Sequence, residues 1–325
     1  MRKRLTSVMI GGLVLAGFGA AGPAQAGLTT HCVGSASGVT VPGDLLVPAD
    51  QACSLEDIVV TGNVTVARGA DLVGDGLTIN GNVTVQGDGY LDLGESTVAG
   101  NVANRGAFGI YLDGTDVNAY TATANVNPDS FLWTYGATFA GRIASTGGSF
   151  LLESSVAQRL VETTDSLYTD VLDSVVGGTL TVTGAEYGAT VCGSEVDGHA
   201  TFAGNGVGVQ LGAGGALGEC EHGTSVWSGN VTVTGTTGVA EVSGNVIRGN
   251  LAGTGNESVS ASGNRVRGEL QGQFAEQADQ GTMRMRLEAP SAAEADANRD
   301  VLEQRRTARL AEAEQLADAA GPADL

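Results

Sequence analysis

The sequence predicts an all-β fold, a single-stranded parallel β-helix or β-solenoid of ~19–20 residues per coil and about 11 coils, ending in a C-terminal α-helix. Three observations lead there. Gly62-Asn63-Val64-Thr65-Val66 recurs as Gly81-Asn82-Val83-Thr84-Val85 and again as Gly100-Asn101-Val102, each time after 19 residues. Within each interval the apolar residues alternate with period two in three short groups, as in Val83/Val85, Leu91/Leu93 and Val98, parted by turns such as Gly87-Asp88-Gly89. Glycine is abundant (51 of 325) and aromatics are 5%, so the core is built from Val, Leu, Ile and Ala.

At the N-terminus, Arg2-Lys3-Arg4, an apolar stretch from Val8 to Ala21 and the small-residue site Ala24-Gln25-Ala26 have the layout of a secretory signal peptide, residues 1–26. The expected mature protein is secreted, extracellular or associated with the cell surface, and has no membrane span. It holds 13 basic residues against 36 acidic ones, a net charge of −23, and no lysine. That charge excludes nucleic acid and anionic lipid as partners, and lysine-dependent chemistry is excluded with them. Four cysteines, Cys32, Cys53, Cys192 and Cys220, suit two disulfides in an exported chain. Of three connectivities the sequence-local pairs, Cys32–Cys53 and Cys192–Cys220, are favoured. A metal site from Cys192, His199, Cys220 and His222 is the rival, and its spacing is not that of a zinc site. No metal and no cofactor are expected.

The solenoid is expected over residues 27–274. Extending the pattern V-x-G-N-V-x-V places anchors at 43, 62, 81, 100, 119, 141, 158, 178, 198, 229, 249 and 268. One interval is long and marks an insertion at about 204–225, which contains Cys220. Right-handed coiling is expected, because a left-handed hexapeptide solenoid keeps strict multiples of six. Asn63, Asn82, Asn101, Asn230 and Asn250 fall at one point of their coils and read as a structural hydrogen-bonded ladder.

The repeated G-N-V-T-V and I/V-x-G-N-V resemble the β-helix of bactofilin-like, polymer-forming proteins. Cys53-Ser54-Leu55, with the Val41-Pro42-Gly43-Asp44 stretch before it, is more similar still to secreted actinobacterial β-helix proteins without an assigned activity. The resemblance covers residues 41–271. It implies the architecture, and self-association end to end as one behaviour to test.

Counting back from each anchor, Leu91/Leu93, Ile110/Leu112 and Leu132/Thr134 point inward. Asp92, Tyr111, Trp133, Phe150 and Asp170 then point outward, flanked by Phe131, Tyr135, Leu152, Tyr168 and Leu172. Phe131, Trp133, Tyr111, Tyr135 and Phe150 would form an aromatic face able to meet an extracellular glycan or a surface protein. A register slip, or the C-terminal segment folding back, would cover it. An acidic turn column (Glu56-Asp57, Asp75, Glu95, Asp113, Glu153, Asp173) raises the alternative of a polysaccharide-active enzyme with carboxylates on adjacent coils. No catalytic residue is assigned, and the leading expectation is a non-catalytic structural or binding module. Residues 275–290 read as a flexible linker with a short strand near Met283–Leu287. Ser291-Ala292-Ala293-Glu294 has capping-box spacing and opens a loosely held helix, 291–320, with a thin apolar face of Val301, Leu302, Leu310 and Leu316.

Overall fold

A computed structural model describes residues 28–123, 127–220, 223–280 and 291–325. The expected signal peptide, the strand near 283–287 and His222 lie outside these residues. The described chain is a parallel β-solenoid of about 13 turns with a C-terminal helix. Most coils send one strand to a 12-stranded parallel sheet and two to a 23-stranded parallel sheet; in Thr97–Asn104 and Asp116–Ala122 the two are continuous. One coil beyond the 11 expected is made by strands Thr29–His31 and Gly34–Ser37, ahead of the first anchor and without its motif.

The anchor positions stack in register. Val41, Val60, Ile79, Val98, Val117 and Phe139 pair in succession, all facing the core. The next member is Ala157, fully buried, whereas Val156 is 38% exposed. The template anchor at 158 is therefore one residue early. Because side chains alternate with period two, a one-residue slip exchanges inside for outside. The same slip moves Phe150 and Leu152 into the core: Phe150 pairs with inward Leu132, and Leu151 pairs with outward Trp133.

Polar stacks hold neighbouring coils together. In the exposed ladder, Asn82 and Asn101 each donate a backbone N–H (2.9 Å) to the side-chain oxygen of the asparagine one coil back. Asp44 starts this ladder below Asn63, and Asn230 and Asn250 repeat it above His199. A second ladder is buried: Ser155, Ser174, Ser194 and Ser225 each accept a backbone N–H from the previous coil. It satisfies turn amides that water cannot reach.

Both favoured disulfides are present. Cys32–Cys53 ties the first coil to the second, and Cys192–Cys220 ties an inserted loop to the solenoid, with Cα–Cα separations of 5.7 and 5.6 Å. The insertion is shorter than expected, because Gly208–Gly212 is a regular strand pairing with Ala189–Cys192; the extra residues follow Gly212. Where a flexible linker was expected from 275, helix α1 (Gln273–Gln280) packs on the last coils. Phe274 is buried there, and the Gln273 side chain accepts from the Asn256 backbone and amide. The second helix, α2 (Ser291–Ala320), returns along the solenoid to the opposite end. There Pro322 bridges Ser35, and Ala323 N–H donates to Ser35 O at 2.8 Å, so the C-terminal tail covers the edge of the first strand of the 12-stranded sheet.

Candidate functional site

The outward column of the 12-stranded sheet is Ser35, Ser54, Val73, Asp92, Tyr111, Trp133, Leu151, Asp170, Thr190, Gln210, Glu241 and Ser260. Beside it stand Tyr90, Phe108, Phe131 and Tyr168, so an aromatic face exists on this side as the sequence implied. It is not open. Phe131 is 2% exposed and Trp133 3%, because they pack with Tyr90, Phe108 and Tyr168 under Leu302 of α2. Tyr111 and Tyr135 are half-buried at its margin, their rings 5.4 Å apart, while Phe150 belongs to the core.

Small residues make room for this cluster. Gly109 pairs with Tyr90, and a Cβ at Gly109 would fall inside the Phe131 ring. Gly109→Ala should therefore cost about 1–3 kcal/mol through overpacking. Chemical denaturation would measure the cost, and an unchanged midpoint would mean that Phe131 does not rest there.

The contact face of α2 is made mainly of arginine. Arg299, Leu302, Arg306, Arg309, Leu310, Ala313 and Ala317 recur at helical spacing on the solenoid side. Val301 and Leu316, expected on this face, point outward at 53% and 47% exposure. Arg299 donates to Asp170 from Nε (3.0 Å) and Nη2 (2.7 Å) and lies 4.7 Å from the Tyr168 ring centre. Arg306 lies 4.0 Å from that of Tyr111 and donates to Asp92 at 3.3 Å; Asp92 also accepts from the Tyr90 hydroxyl. Arg309 donates to Asp71 at 2.8 Å and lies 5.5 Å from Phe108. Each guanidinium thus meets a ring and a carboxylate of the solenoid, and Arg306 also donates to Glu303 of α2 at 3.1 Å, a combination strengthened by burial. The helix is held more firmly than its few apolar residues suggested.

Burial under α2 raises the Asp71 pKa from 3.8 to about 6, against the opposing effect of Arg309, and Glu312 and Asp88 push it the same way. Asp92 is raised too, again chiefly by burial. A carboxyl whose pKa is higher in the folded state adds stability below its unfolded pKa and loses it as pH rises through the folded value. The protein should therefore be more stable at pH 5 than at pH 7.5, and Asp71→Asn should flatten part of that slope. Thermal melts across this interval check it, and a rise in stability toward pH 7.5 would contradict it.

Beyond α2 the inserted loop covers the next stretch of the same face. Gln210 receives Leu217 N–H at 2.7 Å and donates to Gly218 O at 2.9 Å, and Glu241 accepts from Gly215 and Ala216. Leu217 sits on Gly188 and Gly208, which have no side chain to obstruct it. Between the start of α2 and this loop a cleft of ≈ 440 Å³ remains, with Trp133, Tyr135, Glu153, Tyr168, Glu219 and Asp300 among its walls. Of its three rings only Tyr135 is partly exposed; Trp133 and Tyr168 are buried in the wall. The insertion and its disulfide were expected, but its seat on this face and the arginine stripe were not, the first because its partners are remote in sequence and the second because it resembles a solvated helix face.

The acidic turn column combines two positions: Glu56, Asp75, Asp113 and Glu153 end their strands, and the residue after them takes a left-handed turn. Asp57, Glu95 and Asp173 have φ of 52°, 42° and 45°, and Gly76, Gly114 and Gly136 share this left-handed turn on other coils. Polar residues tolerate that conformation better than bulky or β-branched ones. Among the described residues no group of three or more His, Cys, Asp or Glu could hold a metal ion, and no helix is long and apolar enough to cross a membrane.

The assembled site belongs to a closed β-solenoid whose long aromatic face is covered by its own C-terminal helix. No known protein family, curated protein or solved structure matches the chain.

Proposed function

We propose that this protein is an exported, non-catalytic recognition module, a rigid solenoid that meets its ligand at the cleft between α2 and the inserted loop. The observation that carries this reading is the cleft itself. Along a face otherwise occupied by the tail, α2 and the loop, it leaves Tyr135 partly accessible, with Trp133 and Tyr168 buried in its wall. Two disulfides suit an oxidising compartment. The covers at the ends, α1 at one and the C-terminal tail at the other, oppose end-to-end growth.

The two tryptophans provide the test. Trp133 lines the cleft, whereas Trp227 is in the core and donates to Asn245 at 3.1 Å. Soluble glycans and short peptides would be titrated while both indole N–H resonances are followed. A ligand that shifts Trp133, leaves Trp227 in place and loses affinity in Tyr135→Ala supports the proposal. If every ligand leaves Trp133 unmoved, the cleft is no recognition site.

A further inference from the structure

We infer that the cleft is a subsite for a guanidinium group, the side chain of an arginine presented by a partner polypeptide. The inference rests on the reading of the cleft as the recognition site and specifies its ligand. The protein itself shows how this face handles cations. Three times along α2 a guanidinium is placed between an outward ring and an outward carboxylate: Arg299 with Tyr168 and Asp170, Arg306 with Tyr111 and Asp92, Arg309 with Phe108 and Asp71.

A fourth ring and carboxylate stand between the Arg306 and Arg299 sets. Tyr135 and Glu153 pair in register on adjacent strands, both line the cleft, and both are half-buried. The Tyr135 ring is the neighbour of Tyr111, the ring that Arg306 covers. Among the described residues no cation is paired with Glu153. Burial, and then the charge of Glu153, hold the Tyr135 hydroxyl well above its ordinary pKa, against the opposing charge of Arg306.

The rest of the lining selects the same chemistry. Glu219 from the loop and Asp300 from α2 add carboxylates, beside Glu303, which accepts from Arg306; Arg299, the basic side chain of the cleft, is already bound to Asp170. An anion is excluded on charge. A planar guanidinium stacks on a ring and presents parallel donors to a carboxylate, which an ammonium group does not do. A polypeptide source is indicated by the apolar part of the lining, Leu151, Leu172 and Leu217, which offers a contact for the residue flanking the arginine.

The probe is acetyl-Val-Arg-amide, titrated into the intact chain from residue 27 with the two indole resonances as readout. Matched peptides carrying lysine or the uncharged arginine isostere citrulline are run beside it. The arginine peptide should shift Trp133 and not Trp227, with lysine weaker and citrulline silent. Glu153→Gln should lower the affinity about tenfold, while Glu195→Gln, an exposed acid on the other sheet, should leave it unchanged. Equal binding of citrulline, or no effect of Glu153→Gln, overturns the inference. A neutral oligosaccharide that shifts Trp133 where the arginine peptide does not would keep the cleft as a recognition site and discard the guanidinium subsite. If neither moves Trp133, both readings fall.

Discussion

Removing residues 291–325 is expected to promote self-association. The deletion uncovers Tyr90, Phe108, Phe131, Trp133 and Tyr168 together, and opens the strand edge at Ser35 that the tail covers. A contiguous aromatic face beside an unpaired edge is what soluble β-proteins avoid. Light scattering behind a sizing column should show oligomers whose size grows with concentration. Trp133 emission should shift to the red in any monomer that remains. The melting temperature should drop on the order of 10 °C, given about 2–4 °C per kcal/mol for a domain of this size. A truncated protein that stays monomeric at high concentration would show that α2 is not what keeps the molecules apart.

The second large effect concerns the pair at the middle of α2. Arg306→Ala leaves Asp92 buried with only the Tyr90 hydroxyl beside it, since Asp92 and Arg306 side chains are each 13% exposed. Breaking one partner of a buried ion pair costs about 3–5 kcal/mol, mostly the desolvation of the charge left behind. Replacing both, as Asp92→Leu with Arg306→Met, should restore most of that loss, because apolar side chains of similar size carry no such penalty. Hydrogen exchange across α2 reads the local effect, and a denaturation cycle over the two single variants and the double gives the coupling. If the double variant is as destabilised as Arg306→Ala, the cost is lost packing of the arginine stem over Tyr111 rather than an orphaned carboxylate.

How far the sequence could be read depended on the range of the interaction concerned. The coil length, the three strands per coil and the stacking of Asn63, Asn82 and Asn101 repeat at one interval, so each copy corroborates the next. The disulfide pairs follow from which coils the cysteines occupy. The buried serine ladder was within reach too: Ser155, Ser174, Ser194 and Ser225 each stand two residues before an inward anchor, Ala157, Val176, Val196 and Trp227. Phe150 was misplaced because its coil is short and Ala157 is a weak marker of the inside. A single missing residue was enough to reverse the face.

The sequence carried the architecture alone, because a solenoid's core is set by local alternation and by contacts between neighbouring coils. The site was decided by the tertiary structure. In α2 the spacing of Arg299, Arg306 and Arg309 is visible in the chain, but its meaning is not. An arginine on an acidic helix ordinarily faces water, and only the buried carboxylates of Asp170, Asp92 and Asp71, 129 to 238 residues away, make these three the inner face. The span also has to match. From Arg299 to Gly321 the helix covers about 33 Å at 1.5 Å per residue, and the strands from Asp170 back to Ser35 cover about 34 Å at strand spacing. That agreement allows one helix to close the aromatic face and deliver the C-terminus to the first strand. No local pattern encodes it, because it depends on how many coils lie between two distant residues and on the direction in which the chain returns.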